Sequence, residues 1–176
     1  MNVDPIRIFI VDDDRILSAV VRNEIRRLLG NRQTEITTFE TGEFCSPFIY
    51  SRPDIAIVDY HLNSRHLPAS NGIELIQQFK KESPETNVIF FTREDNIGLA
   101  VEAFEQGASD YVIKNEFMFW RLNMAVNQCL QHVDLTRQLE YKKKVMHYGA
   151  AIIALFLLAI AALEWYLLEA KWIYWS

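Results

Sequence analysis

Residues 53–62 read PDIAIVDYHL, and this short run decides the fold. Pro53 opens the segment, Ile55 to Val58 is apolar at every position, and Asp59 follows at once. A strand with one face in water alternates apolar and polar residues, whereas a strand covered on both faces is apolar throughout. The run therefore belongs in a buried, mainly parallel sheet with helices on both sides, and it ends in a carboxylate.

The same pattern repeats on either side. Upstream, Ile6 to Val11 reads as a first strand and runs into Asp12, Asp13 and Asp14. Leu17, Val21, Ile25 and Leu28 then recur at helical spacing, with Gly30 and Asn31 as a C-cap. A weaker strand at Glu35 to Phe39 precedes a short helix expected around Gly42 to Tyr50. Downstream, Asn71 to Glu82 is helical and is closed by Pro84, Asn87 to Phe91 is a fourth strand, and Ile97 to Gln106 is an amphipathic helix ended by Gly107. Tyr111 to Ile113 supplies a fifth strand. From Glu116 there is no Gly or Pro until Gly149, so the fifth helix is expected to run on past the domain edge as one long helix. Strands alternating with helices in this way specify an α/β, doubly wound fold.

Composition divides the chain in two. Of its 176 residues, 50% are hydrophobic and 23% charged, with a formal net charge of −5. Residues 1–140 hold 14 Lys and Arg against 21 Asp and Glu, while residues 141–176 hold 4 against 2. An acidic front argues against nucleic acid as a partner, since non-specific binding needs clustered Lys and Arg. Cys45 and Cys129 lack metal-ligand spacing and suit a reduced, cytoplasmic setting. The opening residues carry no basic stretch followed by a long apolar one, so no secretory signal is expected.

In an open parallel sheet, reactive residues gather beyond the carboxyl ends of the strands. Here those ends carry Asp12 and Asp13, Asp59, Thr92 and Lys114. A carboxylate attacks an anionic phosphoryl group poorly unless it is held in line and cations neutralise the charge. Acids, a hydroxyl and a lysine at successive strand ends suit that chemistry. An acid after a strand can also simply cap the next helix, and Asp14 is assigned that role.

The segments IFIVDDD (8–14), AIVDYHL (56–62), VIFFT (88–92) and GASDYVIK (107–114) together resemble the response-regulator receiver domain of two-component signalling, over roughly residues 5–130. The resemblance implies a flavodoxin-like sheet of order 2-1-3-4-5. It implies that Asp59 accepts a phosphoryl group from a histidine kinase or phosphotransfer protein. Mg²⁺ would be held by Asp13 and Asp59, by Asp12 through water, and by the backbone carbonyl of His61. Lys114 would pair with a phosphoryl oxygen and Thr92 would donate its hydroxyl to another. Tyr111 would be the aromatic that swings between outward and inward positions as Thr92 reorganises.

Three features depart from the family. Asn115 follows Lys114 where a cis proline is usual, and a non-proline cis bond costs ~3 kcal/mol, so a trans loop is expected. Arg93 follows Thr92 where Ala or Gly is usual, and a long cation there is expected to hinder entry or slow loss of the phosphoryl group. The loop from Asp59 to Gly72 is longer than usual; its extra portion, Asn63 to Leu67, includes His66. His61 and His66 lack a third ligand nearby and read as exposed loop residues, with a lid or partner contact as the loop's expected role.

The tail has a different character. Val145 to Leu163 holds no Asp, Glu, Lys or Arg. As a helix it would measure ~28 Å, close to the ~30 Å apolar core of a bilayer. Trp165 and Tyr166 resemble an interfacial aromatic belt, and Lys142, Lys143 and Lys144 mark the cytoplasmic flank. The expected organisation is a receiver domain at 1–130, a helical linker with a basic end at 131–144, a transmembrane helix at 145–168 and a short aromatic-rich tail at 169–176. The expected location is the cell inner membrane, single-pass, with the receiver in the cytoplasm.

Nothing resembling a DNA-binding, cyclase or kinase segment follows the receiver, so the leading expectation is a membrane-anchored, single-domain response regulator. Its output would be a contact with a membrane partner or a second copy, made by the fourth helix, fifth strand and fifth helix. A degenerate, non-phosphorylated docking module is the second reading, favoured by Arg93 and Asn115. An enzyme such as an aspartyl-phosphate phosphatase would want an acid two residues after Asp59, where His61 stands, so the chain is read as a phosphoacceptor and not as an enzyme.

Overall fold

A computed structural model describes residues 4–62 and 71–175, with side chains through Trp165. Its five strands are β1 (Ile6–Val11), β2 (Thr34–Phe39), β3 (Ile55–Val58), β4 (Asn87–Thr92) and β5 (Asp110–Ile113). They form one sheet in the order β2-β1-β3-β4-β5, parallel at every pairing. The helices are α1 (Arg15–Leu29), α2 (Gly42–Cys45), α3 (Gly72–Glu82), α4 (Ile97–Glu105) and α5 (Met118–Trp175). This is the flavodoxin-like receiver arrangement that the resemblance implies, built on the parallel α/β sheet that the βα pattern predicts.

The sheet is covered on both sides because its inner strands are apolar on both sides. Ile55, Ala56, Ile57 and Val58 are all buried, as are all six residues of β4. Val11, Val58, Val88 and Phe90 join Ile73, Ile76 and Phe79 of α3 in one cluster. The alternate residues Ile8, Ile10, Ile57 and Ile89 fall on the other face by strand alternation, and they too are buried. β2 lies at the sheet edge and exposes Glu35, Thr37 and Thr38. Its pairing with β1, from Ile6↔Thr34 to Val11↔Phe39, accounts for its place despite weak apolar character.

Local chemistry sets the boundaries. Asp14 caps α1 by accepting from the N–H groups of Ile16 and Leu17 at 3.0 and 2.9 Å. Gly30 ends the helix at φ 55°, in the left-handed region that glycine enters freely. The helix expected over Gly42 to Tyr50 is instead a single α turn followed by a 3-10 helix, Ser46–Ser51. Pro47 is the reason, since it has no N–H for an i→i−4 bond. The fifth helix starts at Met118 and not at Glu116, after a turn in which the Asn115 side-chain oxygen accepts from Phe117 N at 2.9 Å and the Asn115 carbonyl from Met118 N at 3.0 Å.

Two compact units divide the chain, the first ending at Gln131 and the second starting at His132. The sheet, α1 to α4 and the part of α5 up to Gln131 make up the first. The second is helical through Trp175, and between Gln138 and Trp165 its side chains are exposed apart from a half-buried Gly149.

Candidate functional site

Sheet register brings the acidic residues together. Val11 pairs with Val58, so Asp12 and Asp59, the next residue on each strand, emerge side by side. Their backbones are fixed there: Asp12 N donates to Phe39 O at 3.0 Å and Asp59 N to Val11 O at 2.9 Å. Gly72 closes the wall behind them. A Cβ at that position would lie 2.2 Å from the Asp59 carbonyl oxygen and 2.9 Å from Tyr60 Cα, so glycine alone lets the start of α3 approach β3 this closely.

Lys114 arrives from the neighbouring strands. Thr92 pairs with Ile113, and Lys114 N donates to Thr92 O at 2.7 Å. Its ammonium, 4% exposed, bridges Asp12 Oδ2 at 2.8 Å and Asp59 Oδ2 at 2.7 Å. The second oxygen of Asp12 accepts from Asp14 N at 2.9 Å. Burial pushes the Asp12 carboxyl above its ordinary value, opposed by the hydrogen bond and charge of Lys114.

Asp12, Asp13 and Asp59 each offer an oxygen, and these lie within 4.8 Å of one another. Two of the three residues are buried. Lys114 bridges only Asp12 and Asp59 of the three, and gathering carboxylate oxygens this closely in a partly buried cleft is favourable when a cation is shared among them. The donor set is all oxygen, and hard divalent ions such as Mg²⁺ favour carboxylates. The residues fit such an ion.

An open cleft of about 370 Å³ contains these groups, and its rim adds Asp14, His61 and Arg93. Two contacts cross the rim. Arg93 reaches Asp14 Oδ2 at 3.6 Å, and His61 Nε2 meets Glu94 Oε1 at 3.0 Å. Glu94 is the residue that sequence reasoning misses. Its N–H donates to Thr92 Oγ1 at 3.2 Å and its carbonyl accepts from the Tyr111 hydroxyl at 2.6 Å. Through one residue, His61, Thr92 and Tyr111 are connected, and the only sequence signal for it is its position two residues after Thr92. Tyr111 is half-buried with its ring 5.6 Å from Phe90, and burial pushes its hydroxyl pKa up.

The remaining sequence expectations fall elsewhere. Asn115 N donates to Ile113 O at 2.9 Å, a bond that a proline could not make. Asn63 to Leu67, with His66, lies outside the described residues. Lys142, Lys143, Lys144 and Trp165 are exposed on α5 in the second unit, and the side chain of Tyr166 lies outside the described residues. Cys45 and Cys129 are buried in the first unit, and burial pushes both thiols up to about 12, which keeps them protonated and inert.

Comparison with known proteins agrees with this geometry. The family model described as "Response regulator receiver domain" matches residues 8–126. The transcriptional regulator NtrC of Salmonella typhimurium is 32% identical over 108 residues, which cover 61% of this chain and 21% of that protein. The response regulator MprA of Mycolicibacterium vanbaalenii is 29% identical over 111 residues, or 44% of its length. This chain thus spans only about a fifth to under a half of those relatives. Among solved structures, NtrX from Brucella abortus superposes with a TM-score of 0.65 at 27% identity, covering 78% of this chain and 29% of that one. The BeF3-activated receiver domain of DrrB, a Thermotoga maritima protein, superposes with a TM-score of 0.59 at 28% identity, covering 73% of this chain and 99% of that one.

Proposed function

The chain belongs to the response regulator receiver domain family, and on that premise we propose that it is a membrane-anchored response regulator that takes a phosphoryl group on Asp59. Receiver domains interact with histidine kinases or phosphotransfer proteins and bind Mg²⁺ at their acidic pocket. The observation that carries the reading is the Asp12–Asp13–Asp59 cluster with Lys114 joined to Asp12 and Asp59.

Each residue then has a task. Asp59 is the nucleophile, held at the end of β3 where it lines the cleft, with Oδ1 accepting from Tyr60 N at 2.7 Å and Oδ2 on Lys114. Asp13, the backbone carbonyl of His61 and, through water, Asp12 would join Asp59 in holding Mg²⁺. Bound there, the ion supplies charge neutralisation for the incoming phosphoryl oxygens. Lys114 leaves its carboxylate partners in part to meet one phosphoryl oxygen, and Thr92 turns its hydroxyl to another. Thr92 and Tyr111 already share Glu94, so movement of Thr92 alters the footing of Tyr111. A modification shifts a two-state equilibrium only through a different interaction with each state, and this chain of contacts supplies that difference. The face of α4, β5 and α5 would carry the output to a membrane partner or a second copy.

Anchoring rests on α5. The helix is long and apolar enough to cross a membrane, and its most apolar window is wholly exposed, unlike the core helix of a water-soluble protein. Residues 1–130 would be the cytoplasmic receiver, 131–144 a linker whose Lys142, Lys143 and Lys144 stay on the inner face, 145–168 the span and 169–176 an aromatic tail, in the cell inner membrane.

A non-phosphorylated docking module is the alternative, and the Arg93–Asp14 contact across the cleft mouth is the observation on its side. Full-length protein in detergent, incubated with Mg²⁺ and acetyl phosphate, separates the two. The proposal expects intact mass to rise by one phosphate and the rise to vanish in Asp59→Asn. No mass gain in wild type would favour the docking module.

A further inference from the structure

We propose that Arg93 is a second phosphoryl-binding cation, parked on Asp14 at rest and transferred to the phosphoryl group when Asp59 is modified. This rests on the reading of Asp59 as phosphoacceptor. The cleft holds four carboxylates, and its one buried cation, Lys114, is already engaged by two of them. An incoming phosphoryl group brings further anionic oxygens into this cleft, beyond those that Lys114 and a bound Mg²⁺ would meet. Arg93 lines that same cleft, one residue after Thr92, with its side chain 71% exposed.

The partner of Arg93 at rest is easily given up. The 3.6 Å contact is long and exposed to solvent, a class of ion pair that holds weakly. Asp14 does not depend on it, because its other oxygen already accepts from two N–H groups at the start of α1, where the helix dipole favours an anion. Arg93 can therefore depart and leave Asp14 satisfied. A guanidinium offers paired N–H donors that match two phosphoryl oxygens, a geometry the single ammonium of Lys114 cannot supply.

The step balances without any proton from Arg93. An Asp59 carboxylate oxygen forms the new O–P bond as the donor's bond to phosphorus breaks. The electron pair of the broken bond leaves with the donor, which is acetate when acetyl phosphate is used. Arg93 contributes hydrogen bonds and charge to the phosphoryl oxygens during transfer and afterwards.

Rates of phosphorylation by acetyl phosphate, and of loss of the phosphoryl group, are measured on full-length protein in detergent for wild type, Arg93→Ala, Arg93→Lys, Asp14→Asn and the combined Arg93→Ala and Asp14→Asn variant. Asparagine preserves the helix cap and removes the charge that parks Arg93. Arg93→Ala should slow phosphorylation on the order of tenfold, the scale of one charge-assisted hydrogen bond. Arg93→Lys should recover part of the loss. Asp14→Asn should speed phosphorylation roughly twofold or more by freeing the guanidinium, and the gain should vanish when Arg93→Ala is combined with it; a gain that persists without Arg93 comes from removal of the Asp14 charge alone and overturns the proposal. A 19F NMR titration with beryllofluoride should order the affinities in the same way. If Arg93→Ala and Asp14→Asn both slow the reaction, the pair is structural; if both speed it, the pair is a gate; if neither moves it, Arg93 is idle. Each of these results overturns the proposal while leaving Asp59 as phosphoacceptor. A wild type that gains no phosphate overturns both readings together.

Discussion

Two apolar runs in this chain have the same chemistry and opposite surroundings. Ile55, Ala56, Ile57 and Val58 are at most 1% exposed, whereas Ile152, Ile153, Leu155 and Phe156 are each more than 60% exposed. Composition does not distinguish them; length and neighbours do. Four apolar residues between Pro53 and Asp59 fit one strand of a sheet whose other strands cover it. The nineteen residues from Val145 to Leu163 hold no Asp, Glu, Lys or Arg and make a helix with apolar side chains on every side. So large an exposed apolar surface calls for a bilayer or a partner.

The largest expected effect breaks the comparison at its weaker end. Full-length protein should stay in the membrane pellet through alkaline carbonate extraction, and the chain truncated after Gln138 should appear wholly in the supernatant. Release of the full-length chain would make the exposed helix a protein-binding element and not a span.

Next in size is Lys114→Met. It removes the cation shared by Asp12 and Asp59 and leaves two buried carboxylates unpaired, which should lower unfolding free energy by about 3 kcal/mol. Added Mg²⁺ should recover part of the loss by binding the folded state, so the melting temperature of the variant should depend on Mg²⁺ more steeply than that of wild type. Equal stability with and without the lysine would mean that the cluster is solvated and not buried.

A smaller effect is expected at Asp14, where cap and charge can be separated. Asp14→Ala should cost about 1 kcal/mol through loss of the cap on α1, while Asp14→Asn should cost only a few tenths. Asp13→Asn, in contrast, should weaken Mg²⁺ binding measured by calorimetry, and Asp14→Asn should not. Equal losses of Mg²⁺ affinity would place the wrong acids around the ion.

These contrasts also mark what the sequence makes legible. β3 and the end of β1 are readable to the residue because the apolar runs Ile55 to Val58 and Ile8 to Val11 end at Asp59 and Asp12. The tightness of the site is readable only in part. Lys114 stands 102 residues from Asp12, and the ammonium that bridges two carboxylates depends on the register of four strands. Glu94 escapes because two of its three bonds use backbone atoms, which carry no residue identity. Arg93 is visible as an oddity beside Thr92, but its partner Asp14 lies on another loop and already has a local role as a cap. Pro47 was in plain view, yet the helix it divides into an α turn and a 3-10 turn follows from a missing N–H and not from hydrophobic period.

The most direct test of the account asks which carboxylate carries the phosphoryl group. Protein treated with Mg²⁺ and acetyl phosphate is reduced with borohydride, which converts an aspartyl phosphate to homoserine, and is then digested and sequenced by mass spectrometry. The account predicts homoserine at position 59 and unmodified aspartate at positions 12, 13 and 14. Homoserine at any of those three positions, or at none of the four, would contradict it.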